Sequence, residues 1–153
     1  MSVIEIRKAG DPVLKEKSKP VLKITKQTRA LLDNLVETLR DANGAGLAAP
    51  QIGVSLRVIV IDIGDGLIEL INPEIIESEG SETTTEGCLS FPGMWGEVER
   101  FTCVTVQGLD RHGNPVNLKG DGMLARAFQH EIDHLDGVLF VERAKSVFRE
   151  HKE

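Results

Sequence analysis

The run His130-Glu131-Ile132-Asp133-His134 restricts what this chain can become more than any other stretch. It lies in a segment that opens at Asp121-Gly122 and closes at Asp136-Gly137, which predicts a helix ending at Leu135. At ~100° per residue, Leu124, Phe128, Ile132 and Leu135 fall on one side of that helix, and Met123, Arg126, Ala127, His130 and His134 on the other. The aliphatic side needs a core. The two imidazoles stacked one turn apart need partners too, because unpaired buried polar groups are costly. Such a helix has to be covered on both faces.

The rest of the chain supplies the cover. Between Thr25 and Ala42 the residues Leu31, Leu32, Leu35, Val36 and Leu39 recur at helical spacing, with Thr25 as cap and Asn43-Gly44 as stop. Residues 56–61 and 67–71 are runs rich in β-branched side chains, parted by Gly64-Asp65-Gly66, and predict a hairpin. Residues 98–109 and 115–118 flank a second turn signal from Asp110 to Asn114. The stretch 86–96, with its glycines and a proline, reads as loop or strand edge. One early helix, several antiparallel strands and a late helix predict an α+β fold, with antiparallel β-sheets packed around the histidine-bearing helix. No internal repeat or low-complexity linker interrupts residues 1–153, which read as a single domain.

Composition narrows the class. A content of 41% hydrophobic and 27% charged residues suits a folded globular chain. No apolar run approaches the ~18 residues that cross a bilayer, and the start Met1-Ser2-Val3-Ile4-Glu5 has no secretion core. With 18 basic against 24 acidic residues the net charge is −6, a poor balance for neutralising phosphates, so no nucleic-acid partner is expected. Two cysteines make no disulfide framework. The expectation is a cytoplasmic, membrane-free domain.

Imidazoles at i and i+4 point the same way and can share one metal ion, with Glu131 on the flank to handle the proton of a water. A catalytic site needs a third protein ligand and an open position. Position 140, where one such motif continues with histidine, is Phe140. Glu142, Glu150 and Glu153 fall in what reads as a short charged tail, and His112 and His151 read as solvent-exposed. The best remaining donor is Cys88, in Glu86-Gly87-Cys88-Leu89-Ser90, where Gly87 permits close backbone approach. Cys103, within the apolar Phe101-Thr102-Cys103-Val104, reads instead as a small buried hydrophobe. A Cys/His/His set suits iron(II), zinc, cobalt or nickel and does not choose among them.

Three separated segments, Gly44-Ala45-Gly46-Leu47-Ala48-Ala49-Pro50-Gln51, Glu86-Gly87-Cys88-Leu89-Ser90 and Gln129-His130-Glu131-Ile132-Asp133-His134-Leu135, carry a resemblance to the peptide deformylase family in order and spacing. The likeness runs from Gly10 to Phe140. It implies one divalent ion held by Cys88, His130 and His134, most often Fe2+ in the cell, with Zn2+, Ni2+ or Co2+ in purified protein. It implies that Gln51 and the backbone N–H of Leu89 donate to the oxygen of an N-formyl group. Glu131 then takes the proton of the attacking water and passes it to the departing amine, and formate leaves. Gly46 would let substrate lie against backbone, and Met123 and Ala127 would line a slot for a methionine side chain. The implied partners are N-formylmethionyl nascent peptides and the ribosome surface, a contact left open by the short segment after Glu142-Arg143. A different metallo-amidase or peptidase and a non-catalytic metal-containing relative are the alternatives. Four further residues have open readings: Arg100 with Asp133 as a pair supporting a histidine or as a solvated surface pair, Trp95 as cleft edge or hydrophobic plug, and Arg126 without an assigned role.

Overall fold

A computed structural model describes residues 2–150. In chain order the regular elements are α1 (Lys26–Ala42), β1 (Gly46–Ala48), β2 (Val58–Ile61), β3 (Ile68–Glu79), β4 (Glu82–Cys88), β5 (Phe91–Arg100), β6 (Cys103–Leu109), β7 (Pro115–Asp121), α2 (Gly122–Leu135), α3 (Phe140–Arg143) and β8 (Ser146–Arg149). The strands form two antiparallel sheets, one in the order β1-β2-β3-β6-β7 and one in the order β4-β5-β8. This is the expected α+β class.

Helix α1 begins and ends where its sequence signals lie. The Thr25 N–H donates to Thr28 Oγ1 at 3.1 Å, satisfying one of the amides a helix start leaves open. Asn43 closes the helix in the left-handed conformation at φ 55°, which asparagine tolerates better than most residues. The predicted apolar stripe, Leu31, Leu32, Leu35, Val36 and Leu39, packs with Leu47, Val58 and Val60 of β1 and β2.

Helix α2 fits between the sheets. Ala125, Phe128, Ile132 and Leu135 join Ile59, Ile61, Val104 and Val106 in a core beneath the five-stranded sheet. Phe128 is fully buried there, so truncating it to alanine costs about 3–5 kcal/mol. The other side meets the three-stranded sheet. The Gln129 side chain brackets the Phe101 backbone, its Oε1 accepting from the Phe101 N–H at 2.9 Å and its Nε2 donating to the Phe101 carbonyl at 2.9 Å. The helix stops at Gly137, whose φ of 73° favours glycine and whose added Cβ would lie 2.5 Å from the Lys15 carbonyl oxygen. No helix of the described residues is long and apolar enough to cross a membrane.

Two local expectations fail and a third is decided. Residues 86–96, read as loop or strand edge, form most of the β4–β5 hairpin, which turns at Leu89-Ser90 and has β4 at the edge of its sheet. Two of its glycines are steric requirements of the sheet: a Cβ on Gly87 would lie 2.6 Å from the Trp95 ring, and one on Gly96 would lie 3.0 Å from Ala144 Cβ and 3.2 Å from Phe140. The run 98–109 is not one strand, because at Phe101-Thr102 the chain leaves the smaller sheet and enters the larger one. The charged segment after Glu142 is not a tail, since β8 pairs with β5 and sets Phe148 opposite Trp95.

Candidate metal centre and active site

The site forms where α2 faces the β4–β5 hairpin and the edge strand β1. Cys88 ends β4, and His130 and His134 project one turn apart from α2. One donor atom from each lies within 4.8 Å of the other two, and Cys88 Sγ is 3.3 Å from His134 Nε2. The hairpin is pinned so that its sulfur reaches the helix. Leu89 packs over Gly44, where an added Cβ would come within 2.7 Å of its Cδ1. The Ala9 N–H donates to the Ser90 carbonyl at 2.9 Å, and the Arg7 N–H to the Gln51 carbonyl at 2.7 Å, so the N-terminal segment straps both the hairpin turn and the turn that carries Gln51.

Several polar groups around the donors are fixed by hydrogen bonds. His130 Nδ1 is 3.0 Å from Glu86 Oε1. A carboxylate can only accept there, so Nδ1 carries the hydrogen and Nε2 is the ring nitrogen that could serve a metal ion. Glu86 is gripped in turn by Arg100, whose Nε and Nη2 donate to its two oxygens at 2.8 and 2.9 Å. Burial alone would raise the Glu86 carboxyl, but Arg100 and His130 hold it down to about 2. Arg100 also donates through Nη1 to Asp133 Oδ2 at 2.6 Å, and Arg143 reaches the same carboxylate at 2.6 and 2.9 Å. The expected pair of Arg100 and Asp133 is therefore present, yet the group beside a histidine is Glu86. Asp133 lies on the far side of the guanidinium.

Gln51 is fixed as well. Its Oε1 accepts from the Ala48 N–H at 3.0 Å, which leaves Nε2 to donate to Ser90 Oγ at 3.1 Å, with Cys88 Sγ 3.6 Å away. Glu131 is buried, and its Oε1 has no hydrogen-bond partner among the described residues. Burial pushes its carboxyl up to about 7. Its Oε2 lies against Gly46, where an added Cβ would stand 2.6 Å away. The His134 Nδ1 is likewise buried and unpartnered among the described residues. An orphaned carboxylate beside a thiol and two imidazoles is an expensive arrangement for a protein interior on its own. It suits a divalent transition ion with a water beside it, because thiolate and imidazole ligands favour such ions.

A cavity of about 480 Å³ opens onto these groups. Of the sequence-predicted residues, Gly46, Gln51, Cys88, Leu89, Met123, Ala127, His130 and Glu131 line it, and His134 is buried behind. Met123 is 52% exposed at its mouth, so it is not a core residue. Trp95 also lines the cavity and is 38% exposed, which makes it cleft edge rather than plug. His112 lies exposed in the β6–β7 turn, as expected, and His151 lies outside the described residues. Cys103 is half-buried in β6 rather than sealed in the core, and it stands apart from the site.

The profile of the polypeptide deformylase family matches residues 3–150. The chain belongs to the peptide deformylase family. A peptide deformylase of Halothermothrix orenii is 59% identical over 152 residues, covering 98% of this chain and 99% of that protein. Among solved structures, the peptide deformylase of Thermotoga maritima superposes with a TM-score of 0.92 at 41% identity, covering 95% of this chain and all of that one. The deformylase of Synechococcus elongatus in complex with actinonin gives a TM-score of 0.90 at 42% identity, over 94% of this chain and 79% of that one. Sequence reasoning missed Glu86 and Ser90 as members of this deformylase-like site. The available signal was position: both flank the Gly87-Cys88-Leu89 segment that carries the sulfur.

Proposed function

We propose that this protein is a metal-dependent hydrolase that removes the N-formyl group from the N-terminal formyl-methionine of newly made polypeptides and releases formate. What carries the reading is the convergence of Cys88, His130 and His134 beside the buried, unpartnered Glu131 in a chain of the deformylase family. Those three side chains hold one divalent ion, Fe2+ in the cell, with Zn2+, Ni2+ or Co2+ acceptable in purified protein. When bound, the ion supplies Lewis acidity that brings the pKa of a water toward neutrality.

The chain's own residues do the rest. Glu131, raised by burial to about 7, is poised to accept a proton near neutral pH. It takes the proton of the attacking water and returns it to the amine nitrogen as the C–N bond breaks. Charge collecting on the formyl oxygen is met by Gln51 Nε2 and the backbone N–H of Leu89, an oxyanion hole whose rigidity comes from the Ala48 contact to Gln51 and the packing of Leu89 over Gly44. Gly46 lets the substrate backbone approach, and Met123 and Ala127 receive the methionine side chain, for which a flexible thioether is an adaptable neighbour. Residues 1–153 work as one catalytic domain in the cytoplasm, on chains emerging at the ribosome surface.

Formate release from formyl-Met-Ala, compared with acetate release from acetyl-Met-Ala, tests the assignment. The formyl peptide is expected to be the strongly preferred substrate, because a site shaped for a formyl hydrogen has no room for a methyl. Comparable cleavage of both would defeat the reading. Activity that survives in Glu131→Ala with its metal content intact would remove Glu131 from its role.

A further inference from the structure

Arg126 is the only lysine or arginine among the described residues that line the cavity. It precedes His130 by four residues and so shares the histidine stripe of α2 one turn earlier, between Met123 and Ala127. A free guanidinium there would stand in the slot assigned above to methionine. It is not free. Its Nη1 lies 2.6 Å from Glu82 Oε1, and Glu82 begins β4, outside the cavity lining. The charged end of Arg126 is thus drawn toward the three-stranded sheet, while its methylene stem stays as wall. Long cationic side chains commonly divide their surface in this way.

We propose that Glu82 is a positioning residue for side-chain selectivity. By holding the Arg126 guanidinium off the slot it keeps that slot apolar, and without it the site admits a first residue bearing a carboxylate. This inference rests on the deformylase reading. The ion pair is partly exposed, with side-chain exposures of 27% for Arg126 and 37% for Glu82, so it contributes little to stability. Its consequence is where one charge resides. Once released, Arg126 can pair with an acidic side chain entering the slot, and a charge-assisted hydrogen bond of that kind is strong enough to change selectivity by about tenfold or more.

The test measures kcat and KM for formyl-Met-Ala and formyl-Glu-Ala with metal-loaded enzyme. Glu82→Ala is a partly exposed substitution that leaves the fold intact, which its melting temperature checks. It is expected to lower the Met-over-Glu ratio of kcat/KM about tenfold through KM, with kcat for formyl-Met-Ala within twofold of wild type. Glu82→Asp, which keeps the carboxylate, restores most of the wild-type ratio. In an Arg126→Met background Glu82→Ala changes the ratio no further, whereas a pair that merely ties sheet to helix would leave the ratio untouched throughout. An unchanged ratio in Glu82→Ala, or an equal shift in the Arg126→Met background, overturns the proposal. If wild-type protein releases formate from neither peptide, it is the deformylase reading that fails.

Discussion

Replacing Gly46 by alanine is the most direct probe of how closely the backbone of β1 approaches the proposed base. Gly46 has no positive φ, so alanine meets no backbone strain there, and the added Cβ would stand 2.6 Å from Glu131 Oε2 and 3.0 Å from its Cδ and Cγ. To regain ordinary van der Waals contact the carboxylate has to withdraw by about 0.8 Å. Misplacing a reacting group by ~1 Å lowers rate by ~10², and a general base is worth ~10²–10⁴ in all. Gly46→Ala is therefore expected to lower kcat for formyl-Met-Ala by about 30- to 100-fold, with metal content at wild-type level. The overlap costs ~1–3 kcal/mol of stability, partly offset by ~0.4–1 kcal/mol from the stiffer unfolded chain. Steady-state formate release and elemental analysis of the same sample measure rate and metal content, and thermal unfolding measures the stability change. The same substitution in a Glu131→Gln background should add little, because the base is already gone. A Gly46→Ala enzyme with kcat within threefold of wild type would show that the contact does not govern proton transfer.

Other perturbations separate the remaining parts. Gln51→Ala removes one of the two proposed donors to the formyl oxygen and is expected to lower kcat by ~10²–10³ while metal content stays unchanged; a loss confined to KM would assign Gln51 to substrate binding instead. Arg100→Met leaves Glu86 and Asp133 buried without their shared partner and should destabilise by ~3–5 kcal/mol, seen as a melting temperature lower by about 10 °C or more. A change of a degree or two would mean that Arg143 and water compensate. Stripping the metal with a chelator should abolish formate release and lower the melting temperature, since a ligand bound only to the folded state stabilises it. Readdition should restore both, and Cys88→Ala should resemble the stripped protein from the outset.

The sequence carried the two long helices well because their signals are local and redundant. For α2, the aliphatic stripe, the opening at Asp121-Gly122 and the glycine stop all agree, and the observed helix is Gly122–Leu135. The hairpin around Gly64-Asp65-Gly66 was legible for the same reason, as β-branched runs on either side leave few alternatives. The β4–β5 hairpin was only half legible, because its glycines lower strand propensity and what demands them appears only in the fold, Trp95 across the hairpin against Gly87 and Phe140, far along the chain, against Gly96. The crossing at Phe101-Thr102 carries no glycine or proline to mark it, and it shows only in the strand pairing and in the clasp of Gln129 on the Phe101 backbone. In the site, Cys88, His130 and His134 stood out because those residue types are scarce in the chain. Glu86 is one among many acidic residues, and only its contact with His130 and Arg100 sets it apart.

The order of strands has its own consequence. Both β1 and β4 are outermost in their sheets, and both border the cavity. A polypeptide entering in extended form would lie as a guest ribbon between two borders that no neighbour occupies, drawing main-chain partners from either flank. Main-chain pairing is blind to the side chains that follow the first residue. A catalyst built on such a seam would grip the ribbon by its main chain and leave discrimination to the slot at the first residue.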